Sequence, residues 1–357
     1  MHTRRWIGIG IMVLVLVAGC AKAPEEPRTL RVMTYDSFSV SEEVVKQFEE
    51  EHDVTVQFFQ AGDAGKMLNQ AILSRDTPQA DVLYGLDNTF LSRALEAEIF
   101  EPYQAQALEH IPAALQLDPE YRVVPTDFGD VCLNYDKAAL EALGVPAPQS
   151  LKELTEPAYK GLLVVENPAS SSPGLAFLLT TIGVFGESGE YTYLDFWKDL
   201  YDNDVLVVDG WDTAYYTEFS GGSFSEGTRP LVVGYATSPA AEVYFSEGAL
   251  EEPPTGAVTA LGTCFSQIEF AGILKNTPNR ELAEAFIAAL EALGPRRRVL
   301  VLPPDATRRH SKAGVLLKAA YEYYGDALAA VMPALGTHRP MGESALEAMF
   351  PGVPAAL

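Results

Sequence analysis

From Thr29 onward, short apolar segments alternate with amphipathic segments of helical length, and this alternation restricts the fold more than any other feature. Strands are predicted at residues 30–35, 54–59, 81–84, 162–166, 205–208 and 230–235. Helices are predicted at residues 64–74, after Pro173 and from Pro239. Strands that alternate with helices of this length form parallel, doubly wound sheets. The sequence therefore predicts an α/β protein with two such units.

A further helix is predicted between the first two strands. Ser39 and Glu42 have the spacing of a capping box, in which the two side chains bond each other's backbone amides at a helix start. Val40, Val44, Val45 and Phe48 follow, and this spacing predicts that they mark one face of the helix.

The charge balance excludes one class of function. The chain has 357 residues, with 49 Asp and Glu against 25 Lys and Arg, for a formal net charge of −24. Nucleic-acid binding needs a basic surface to displace counterions from phosphates, so no nucleic-acid partner is expected. An apolar content of 48% also excludes a disordered acidic tail.

The N-terminus predicts export and a lipid anchor. Two arginines precede an apolar run at residues 6–18, which is shorter than the ~20 residues of a membrane span and typical of a signal peptide. The run ends in Val-Ala-Gly before Cys20 and resembles a bacterial lipobox. This resemblance implies cleavage before Cys20 and lipidation of its sulfur, with residues 1–19 as signal peptide and 20–28 as tether. The protein is then expected in the cell envelope, membrane-anchored and facing the periplasm or the exterior.

Polar and aromatic residues cluster directly after the predicted strands, at residues 35–38, 61–65, 167–174, 210–211 and 234–239. Ligands of open α/β sheets bind outside the carboxyl ends of strands, and a cleft between two units is a natural site. The same segments also have a purely structural interpretation. In it, Asp63 only caps a helix and Trp211 belongs to the core.

Six motifs occur in the order and with the spacing found in thiamine-binding periplasmic proteins. They are Tyr-Asp-Ser-Phe at 35–38, Gly-Leu-Asp-Asn at 85–88, Asn-Tyr-Asp-Lys at 134–137, Ser-Ser-Pro-Gly at 171–174, Gly-Trp at 210–211 and Tyr-Ala-Thr-Ser-Pro at 235–239. The chain resembles that family over roughly residues 29–290.

The resemblance implies the two-lobed class II periplasmic binding protein fold, with two doubly wound sheets joined by two hinge crossings. The crossings are expected near residues 126–134 and 262–271. Lobe 1 would comprise residues 29–128 and 267–357, and lobe 2 residues 129–266.

The resemblance also implies a receptor that captures thiamine or a thiamine phosphate between the lobes. The receptor would deliver this ligand to the permease subunits of an ABC importer, as a monomer and without enzymatic activity, cofactor or metal. Carried over to this chain, the family's ligand contacts and their neighbours are Tyr35, Asp63, Ala64, Ser171, Ser172, Trp211, Tyr235, Ala236, Thr237 and Ser238.

The chemistry of these residues suits a flat cation. Trp211 and Tyr235 are expected to hold an aromatic ring, because a cation gains free energy over an aromatic face. Asp63 is expected to balance a thiazolium charge or to accept a hydrogen bond from an aminopyrimidine. The serine and threonine hydroxyls, with amides at helix starts, would bind the remaining polar edge or a phosphate.

The chain departs from the family pattern in three places. Ala241 stands where a second stacking tyrosine is usual, with Tyr244 one helical turn further on as a replacement. Ala236 stands where a threonine is usual. A Trp-x-Tyr-Pro-like stretch near the end is missing, and arginines at 296–298 and 308–309 occur in that region instead. Thiamine phosphates and related pyrimidines therefore stay open as ligands.

Cys132 and Cys264 each lie in one of the two implied crossings, which run side by side in this fold. They form either a disulfide, which an oxidising compartment permits, or two buried free thiols. No histidine lies at ligand spacing from either, so a zinc site is not expected.

Three other functions compete with a thiamine receptor. Tyr215-Tyr216 resembles the adjacent tyrosines of ferric-ion receptors, but adjacent helical residues point to different faces, so at least one is expected in the core. Polyamine receptors also use acidic and aromatic side chains. An exported enzyme is the third, but neither G-x-S-x-G nor H-E-x-x-H occurs.

Overall fold

The computed structural model describes residues 28–223, 225–246 and 249–291, and the backbone of two further short strands. The predicted signal peptide, Cys20, nearly all of the tether and the arginines at 296–298 and 308–309 lie outside the described residues. In the part of the chain that is described, no helix has the length and apolar character needed to cross a membrane.

Most strands belong to one mixed sheet. The strands are β1 (Arg28–Thr34), β2 (Val54–Gln60), β3 (Val82–Asp87), β4 (Phe100–Glu101), β5 (Val124–Asp136), β6 (Leu163–Glu166), β7 (Leu206–Val208), β8 (Leu231–Tyr235), β9 (Thr255–Val258), β10 (Phe265–Leu274), β11 (Val299–Val301) and β12 (Leu328–Val331). Hydrogen bonds connect them in the order β2-β1-β3-β10-β5-β8-β6-β7, with β4 beside β10 and β9 beside β5. β11 and β12 pair with each other. All six predicted strands are present, with bounds shifted by up to three residues.

Helices connect and cover these strands. The α-helices are α1 (Glu42–His52), α2 (Ala64–Leu73), α3 (Leu91–Glu96), α4 (Lys137–Leu143), α5 (Ser172–Phe185), α6 (Tyr193–Asp202), α7 (Trp211–Thr213), α8 (Ser238–Phe245) and α9 (Arg280–Glu291). A π-helical turn (Ala214–Glu218) continues α7. Short 3-10 turns span Gln106–Glu109, Ala113–Leu115, Lys152–Thr155 and Pro157–Tyr159. The helices predicted at 64–74, after Pro173 and from Pro239 correspond to α2, α5 and α8.

The capping-box prediction for α1 is wrong. The helix begins at Glu42 with Ser41 as its N-cap, and no side chain bonds the free amides there. Val40 and Val44 are 39% and 37% exposed, whereas Phe48 is buried. The Phe38 ring packs 5.2 Å from the Phe58 ring, and the segment between Phe38 and the helix has no helical structure. This packing contact delays the start of the helix.

Each half of the sheet carries a core on both faces. In the first half, Met33 packs with the residues of α2, while its neighbour Val32 packs on the opposite face with α1 and α9. In the second half, Val165 packs with α5 and α6, and Val164 packs with the turn after α7. Successive strand residues face opposite sides, so strands covered on both faces are apolar throughout. This arrangement is the doubly wound architecture that the alternation predicts.

The long antiparallel strands β5 and β10 join the two halves. β10 pairs with β3 of the first half along one edge and with β5 along the other, and β5 continues into the second half, where it pairs with β8. A disulfide links Cys132 of β5 to Cys264, just before β10, with Cα atoms 4.4 Å apart. Of the two alternatives left open by the sequence, the disulfide is therefore the one that occurs.

Candidate ligand-binding site

A cavity of about 90 Å³ lies where the two halves meet. The first half contributes the loop after β1 and the start of α2, and the second contributes the segment from the end of β7 into α7. The lining residues are Tyr35, Asp36, Ser37, Asp63, Lys66, Asp209, Gly210, Trp211, Asp212 and Thr213. Three of the sequence-predicted contacts, Tyr35, Asp63 and Trp211, thus meet at one cavity, although they are far apart in sequence. A larger groove of about 480 Å³ lies along α2 and includes its exposed Leu73, away from these clustered side chains.

The start of α2 touches the opposite half directly. One Asp63 carboxylate oxygen accepts a bond from the Ala64 amide at 2.7 Å, as an N-cap, and the other accepts from the Trp211 amide at 3.0 Å. The Gly65 amide donates to the Ser170 carbonyl at 2.9 Å. Only glycine fits at position 65, because a Cβ there would lie 2.8 Å from that carbonyl oxygen. The two halves are therefore closed against each other at this point.

Aromatic rings surround Trp211. Its ring is stacked on that of Tyr215, with centroids 4.8 Å apart, and the Tyr235 ring lies 5.8 Å away at a tilt. Tyr216 meets it edge-on. Because Tyr215 is 2% exposed and Tyr216 is 46% exposed, the two adjacent tyrosines do point to different environments, with one in the core.

Tyr244 does not take the place of the missing tyrosine. Its side chain is 79% exposed, and its ring packs against that of Phe245, which is 73% exposed. Ala241 therefore has no aromatic replacement one turn further along α8.

The two serines at the start of α5 are buried below the cavity, at 0% and 4% exposure. The Ser171 hydroxyl lies towards the Asp63 carboxyl and the Ser172 hydroxyl towards Asp87, and each lowers the pKa of the carboxyl that it faces. Neither hydroxyl has a hydrogen bond of good geometry in the described structure. Two buried hydroxyls are thus available to a ligand or to these carboxyls.

The remaining predicted contacts lie around this site without lining the cavity. The amides of Ala64 and Ala236 are already bonded within the protein, to Asp63 and to the Asp130 carbonyl. Thr237 is exposed, and the Ser238 hydroxyl accepts a bond from the Tyr235 amide.

The site is more acidic than the sequence motifs predict, since Asp63 is the one charged side chain among the predicted contacts. Asp36, Asp209 and Asp212 also line the cavity, and Lys66, 3.5 Å from Asp209, is its only lining cation among the described residues. Asp36 directly follows Tyr35 in the sequence, and Asp212 directly follows Trp211. Both aspartates could therefore have been predicted from their position next to a predicted contact. Lys66 does not adjoin a predicted contact in the sequence, and it reaches the cavity because of its position on the first turn of α2.

Burial is the main electrostatic influence on these groups. Burial raises the pKa of Asp63, against the hydrogen bonds that lower it. It also raises the pKa of Asp212, where the charges of Asp36 and Asp63 act in the same direction. At the end of β6, complete burial raises the pKa of Glu166 well above its usual range. A positively charged ligand stabilises the ionised form of carboxyl groups that lie close together in a low-dielectric site.

The described residues contain no group of His, Cys, Asp and Glu arranged to hold a metal ion. The site combines aromatic side chains, buried hydroxyls and carboxylates. This set can bind an organic cation.

Comparisons with known proteins agree with this architecture. A family model described as bacterial extracellular solute-binding protein matches residues 77–291. A thiamine-binding periplasmic protein of Brucella suis is 32% identical over 335 residues, covering 85% of this chain and 94% of the relative.

Two solved structures share the fold. A periplasmic thiamin binding protein superposes with a TM-score of 0.62 at 25% identity, covering 89% of this chain and 86% of the other. Iron-bound HitA of Pseudomonas aeruginosa has a TM-score of 0.56 at 14% identity, covering 75% and 85%, which is a likeness of fold alone.

These structural relatives are two-lobed binding proteins of class II, as the sequence motifs imply, and not enzymes. The chain belongs to the family of bacterial extracellular solute-binding proteins.

Proposed function

We propose that this chain is the receptor of an ABC importer and that its ligand is thiamine or a thiamine phosphate. The observation that carries the proposal is that Trp211 and the Asp63 carboxyl line one interlobe cavity and are joined by the bond from the Trp211 backbone amide. Thiamine is a flat heteroaromatic cation, which needs both an aromatic face and a negative charge. The names of the Brucella suis relative and of the thiamin-binding structure support the same ligand.

Each predicted contact has a role in this proposal. Trp211 and Tyr235 hold the aromatic rings, with Tyr35 on the opposite wall, and Asp63 balances the cationic charge. The buried hydroxyls of Ser171 and Ser172 bind the polar edge of the ligand. The remaining predicted contacts, Ala64, Ala236, Thr237 and Ser238, border the ligand once the cleft has opened, and the last two contribute hydroxyls.

A phosphate group on the ligand has its own candidate partners. The Gly65 amide at the start of α2 is bonded to Ser170 of the other half in the closed form and becomes free when the halves part. Helix N-termini attract anions. Lys66 adds a positive charge at the cavity wall. The several carboxylates oppose an anionic group, so we propose that unphosphorylated thiamine binds more tightly than its diphosphate.

We further propose that residues 29–128 and 267–357 form lobe 1 and residues 129–266 form lobe 2. The division of the buried clusters supports this boundary, since the cores of the first half use residues up to Val124 and from Ile268 onward. Pockets for small molecules usually have volumes of about 300–1,000 Å³, well above the cavity of about 90 Å³. Ligand entry therefore requires the lobes to part, with β5 and β10 as the hinge.

The location of the receptor follows from its N-terminus. We propose cleavage before Cys20, lipidation of that cysteine and a monomeric receptor tethered to the outer face of the cytoplasmic membrane or within the envelope. The Cys132–Cys264 disulfide supports an oxidising compartment. Incorporation of labelled palmitate into the full chain, but not into a Cys20→Ser variant, tests the anchor, and light scattering of the soluble chain tests the monomer.

A polyamine is the second candidate ligand, because the number of carboxyl groups at the cavity suits a polycation. Ferric ion is the weaker candidate. Tyr215, one of the two tyrosines that suggested it, is buried against Trp211 and does not line the cavity.

Calorimetry separates these ligands. The soluble chain from residue 21 is titrated with thiamine, thiamine monophosphate, thiamine diphosphate, spermidine and Fe³⁺. We expect the tightest binding for thiamine, and recovery of thiamine unchanged after denaturation of the complex. Tighter binding of spermidine or Fe³⁺ than of any thiamine compound would reject the proposed ligand, and a chemically altered ligand would reject a pure receptor.

A further inference from the structure

Three carboxyl groups lie side by side across the strands that join the two halves. In the strand register, Glu269 of β10 is opposite Asp87 of β3 on one side and opposite Asp127 of β5 on the other. Directly paired residues of adjacent antiparallel strands have their Cβ atoms about 5 Å apart, and like charges at such positions repel. Asp87, Glu269 and Asp127 therefore form a continuous carboxyl row at the crossing.

The carboxyl row lies directly behind a wall of the ligand cavity. The Tyr35 hydroxyl, from the wall of that cavity, donates to a Glu269 carboxyl oxygen at 3.4 Å. Beside Glu269, at one end of the row, Asp87 faces Ser172 at the start of α5. Glu269 is 8% exposed and Asp87 is fully buried, whereas Asp127 reaches the surface. The row thus extends from the interlobe site to solvent.

No described cation neutralises the row. None of its three members forms an ion pair with a described Lys, Arg or His, and Lys66 of the cavity is directed to Asp209 instead. The other titratable groups that face the row are tyrosines. They are Tyr35 after β1, Tyr84 on β3 and Tyr235 on β8.

Buried polar atoms beside the row lack hydrogen-bond partners in the described structure. The Gln267 side chain is 3% exposed and donates from its amide nitrogen to Glu269 at 3.0 Å, but its amide oxygen has no hydrogen-bond partner in the described structure. One carboxyl oxygen of the buried Asp87 is also unpartnered among the described residues. Buried polar atoms of this kind are rare in folded proteins and usually face water, an ion or a ligand.

We propose that the row formed by Asp87, Glu269 and Asp127 selects positively charged ligands, by sharing protons while the cavity is empty and releasing a proton when a cation enters beside Tyr35. The inference rests on the proposed function, in that it assigns the charge preference of the same interlobe site.

The protonation chemistry follows from the arrangement. Burial raises the pKa of Glu269 well above the usual range, and the neighbouring charges of Asp127 and Asp87 raise it further. Burial likewise raises the pKa of Asp87 and of the Asp127 carboxyl.

The row and a cationic ligand then influence each other. Carboxyls in contact cannot all ionise without a positive charge nearby, so some protons stay bound. A cation favours the ionised forms, and the released proton reaches solvent by way of Asp127.

Calorimetry in two buffers of different ionisation enthalpy tests the proposal, because the difference in heat counts the protons released. The soluble chain from residue 21 is titrated with thiamine and with a neutral aminopyrimidine. We expect thiamine to release protons and the neutral compound to release none. We expect Glu269→Gln to lower the affinity for thiamine about tenfold and to reduce the proton release, while leaving the neutral compound unaffected.

Two further variants complete the test. Glu96→Gln removes one exposed carboxyl of α3, away from the site, and is expected to behave like the wild type. Asp127→Asn changes the most accessible member of the row and serves if Glu269→Gln does not fold. Proton release by both row variants equal to that of the wild type would overturn the proposal.

A ligand-free measurement separates this proposal from the proposed function. A carboxyl whose pKa is raised in the folded state binds more protons when folded than when unfolded, so it loses stabilising effect as pH rises from the usual carboxyl pKa towards neutral. We expect the unfolding free energy of Glu269→Gln and Asp127→Asn to fall less over this range than that of the wild type and of Glu96→Gln. If the unfolding free energies of all four proteins fall equally, proton sharing is rejected even if thiamine binds. If thiamine fails to bind, only the proposed ligand is rejected.

Discussion

The Asp63 carboxylate accepts a 3.0 Å hydrogen bond from the Trp211 backbone amide, and this contact joins the start of α2 to the opposite half of the molecule. The same carboxylate caps its own helix through its other oxygen. Asp63 therefore holds the closed form and contributes charge to the cavity at the same time, so the helix-cap interpretation and the site interpretation are both part of its role.

Replacing Asp63 by Asn tests this double role. A hydrogen bond to a charged group contributes about 1.5–3 kcal/mol, and the amide of Asn neither carries the charge nor accepts through both of its end atoms. We expect calorimetry to show weaker binding of both thiamine and a neutral pyrimidine, with the larger loss for thiamine. Asp76→Asn, at the exposed turn after the same helix, is the matched control. Equal losses for both ligands would leave Asp63 as an interlobe contact only, and no loss for either would remove it from the site.

Trp211→Ala is expected to weaken thiamine binding at least tenfold, or about 1.4 kcal/mol, because the aromatic face of the cavity is lost. Trp211→Phe should restore most of the affinity, since it keeps a flat ring. Trp197→Phe is the control, because Trp197 packs against Phe177 in the core of the second half, away from the cavity. Wild-type affinity in Trp211→Ala, measured by calorimetry, would exclude Trp211 from ligand contact.

Gly65→Ala is expected to hinder closure without harming the helix. Alanine suits a helical position, but its Cβ would lie 2.8 Å from the backbone of Ser170 in the other half. We expect at least a tenfold loss of thiamine affinity and, by small-angle scattering, a receptor that stays extended when thiamine is added.

Gly183→Ala is the matched control for that change. Position 183 lies within α5, and a Cβ there meets no described atom within 4 Å. Its affinity should equal that of the wild type, with unfolding free energy raised by about 0.5–1 kcal/mol. If Gly65→Ala closes and binds like this control, the Gly65–Ser170 contact is absent from the bound state.

Removal of the disulfide is expected to destabilise the protein. Cys132 and Cys264 are 132 residues apart in sequence, and cross-links of native domains typically contribute about 2–5 kcal/mol. Urea denaturation of a Cys132→Ser, Cys264→Ser double variant should show a loss of this size. A reductant should produce the same loss in the wild type and no further change in the double variant. A double variant as stable as the oxidised wild type would contradict a stabilising role.

Local sequence patterns predict β2 and α2 well. The first ends at Gln60 and the second begins at Ala64, close to the predicted bounds, because strand alternation, an Asp N-cap and helical periodicity act within a few residues. The same kind of pattern fails at α1, where the Phe38 contact with Phe58 competes with the capping box. The local signal is insufficient wherever a distant residue contributes more free energy.

Some residues of the candidate site could likewise be predicted from the sequence, and others could not. Tyr35, Asp63 and Trp211 could be selected from their positions after strands and from the ordered motifs, and they do meet at one cavity. Lys66 and Asp209 could not, since each looks like an ordinary surface charge until the closed halves bring them within 3.5 Å.

The sequence by itself determined the doubly wound class of fold, the family, and the residue types at the ends of the strands, because these depend on periodicity and on order along the chain. The tertiary structure alone decided between disulfide and free thiols, and it alone aligned Glu269 with Asp87 and Asp127. Both outcomes depend on the register between strands that are distant in sequence. A register is selected by packing of the whole core, so no short segment of the chain specifies it.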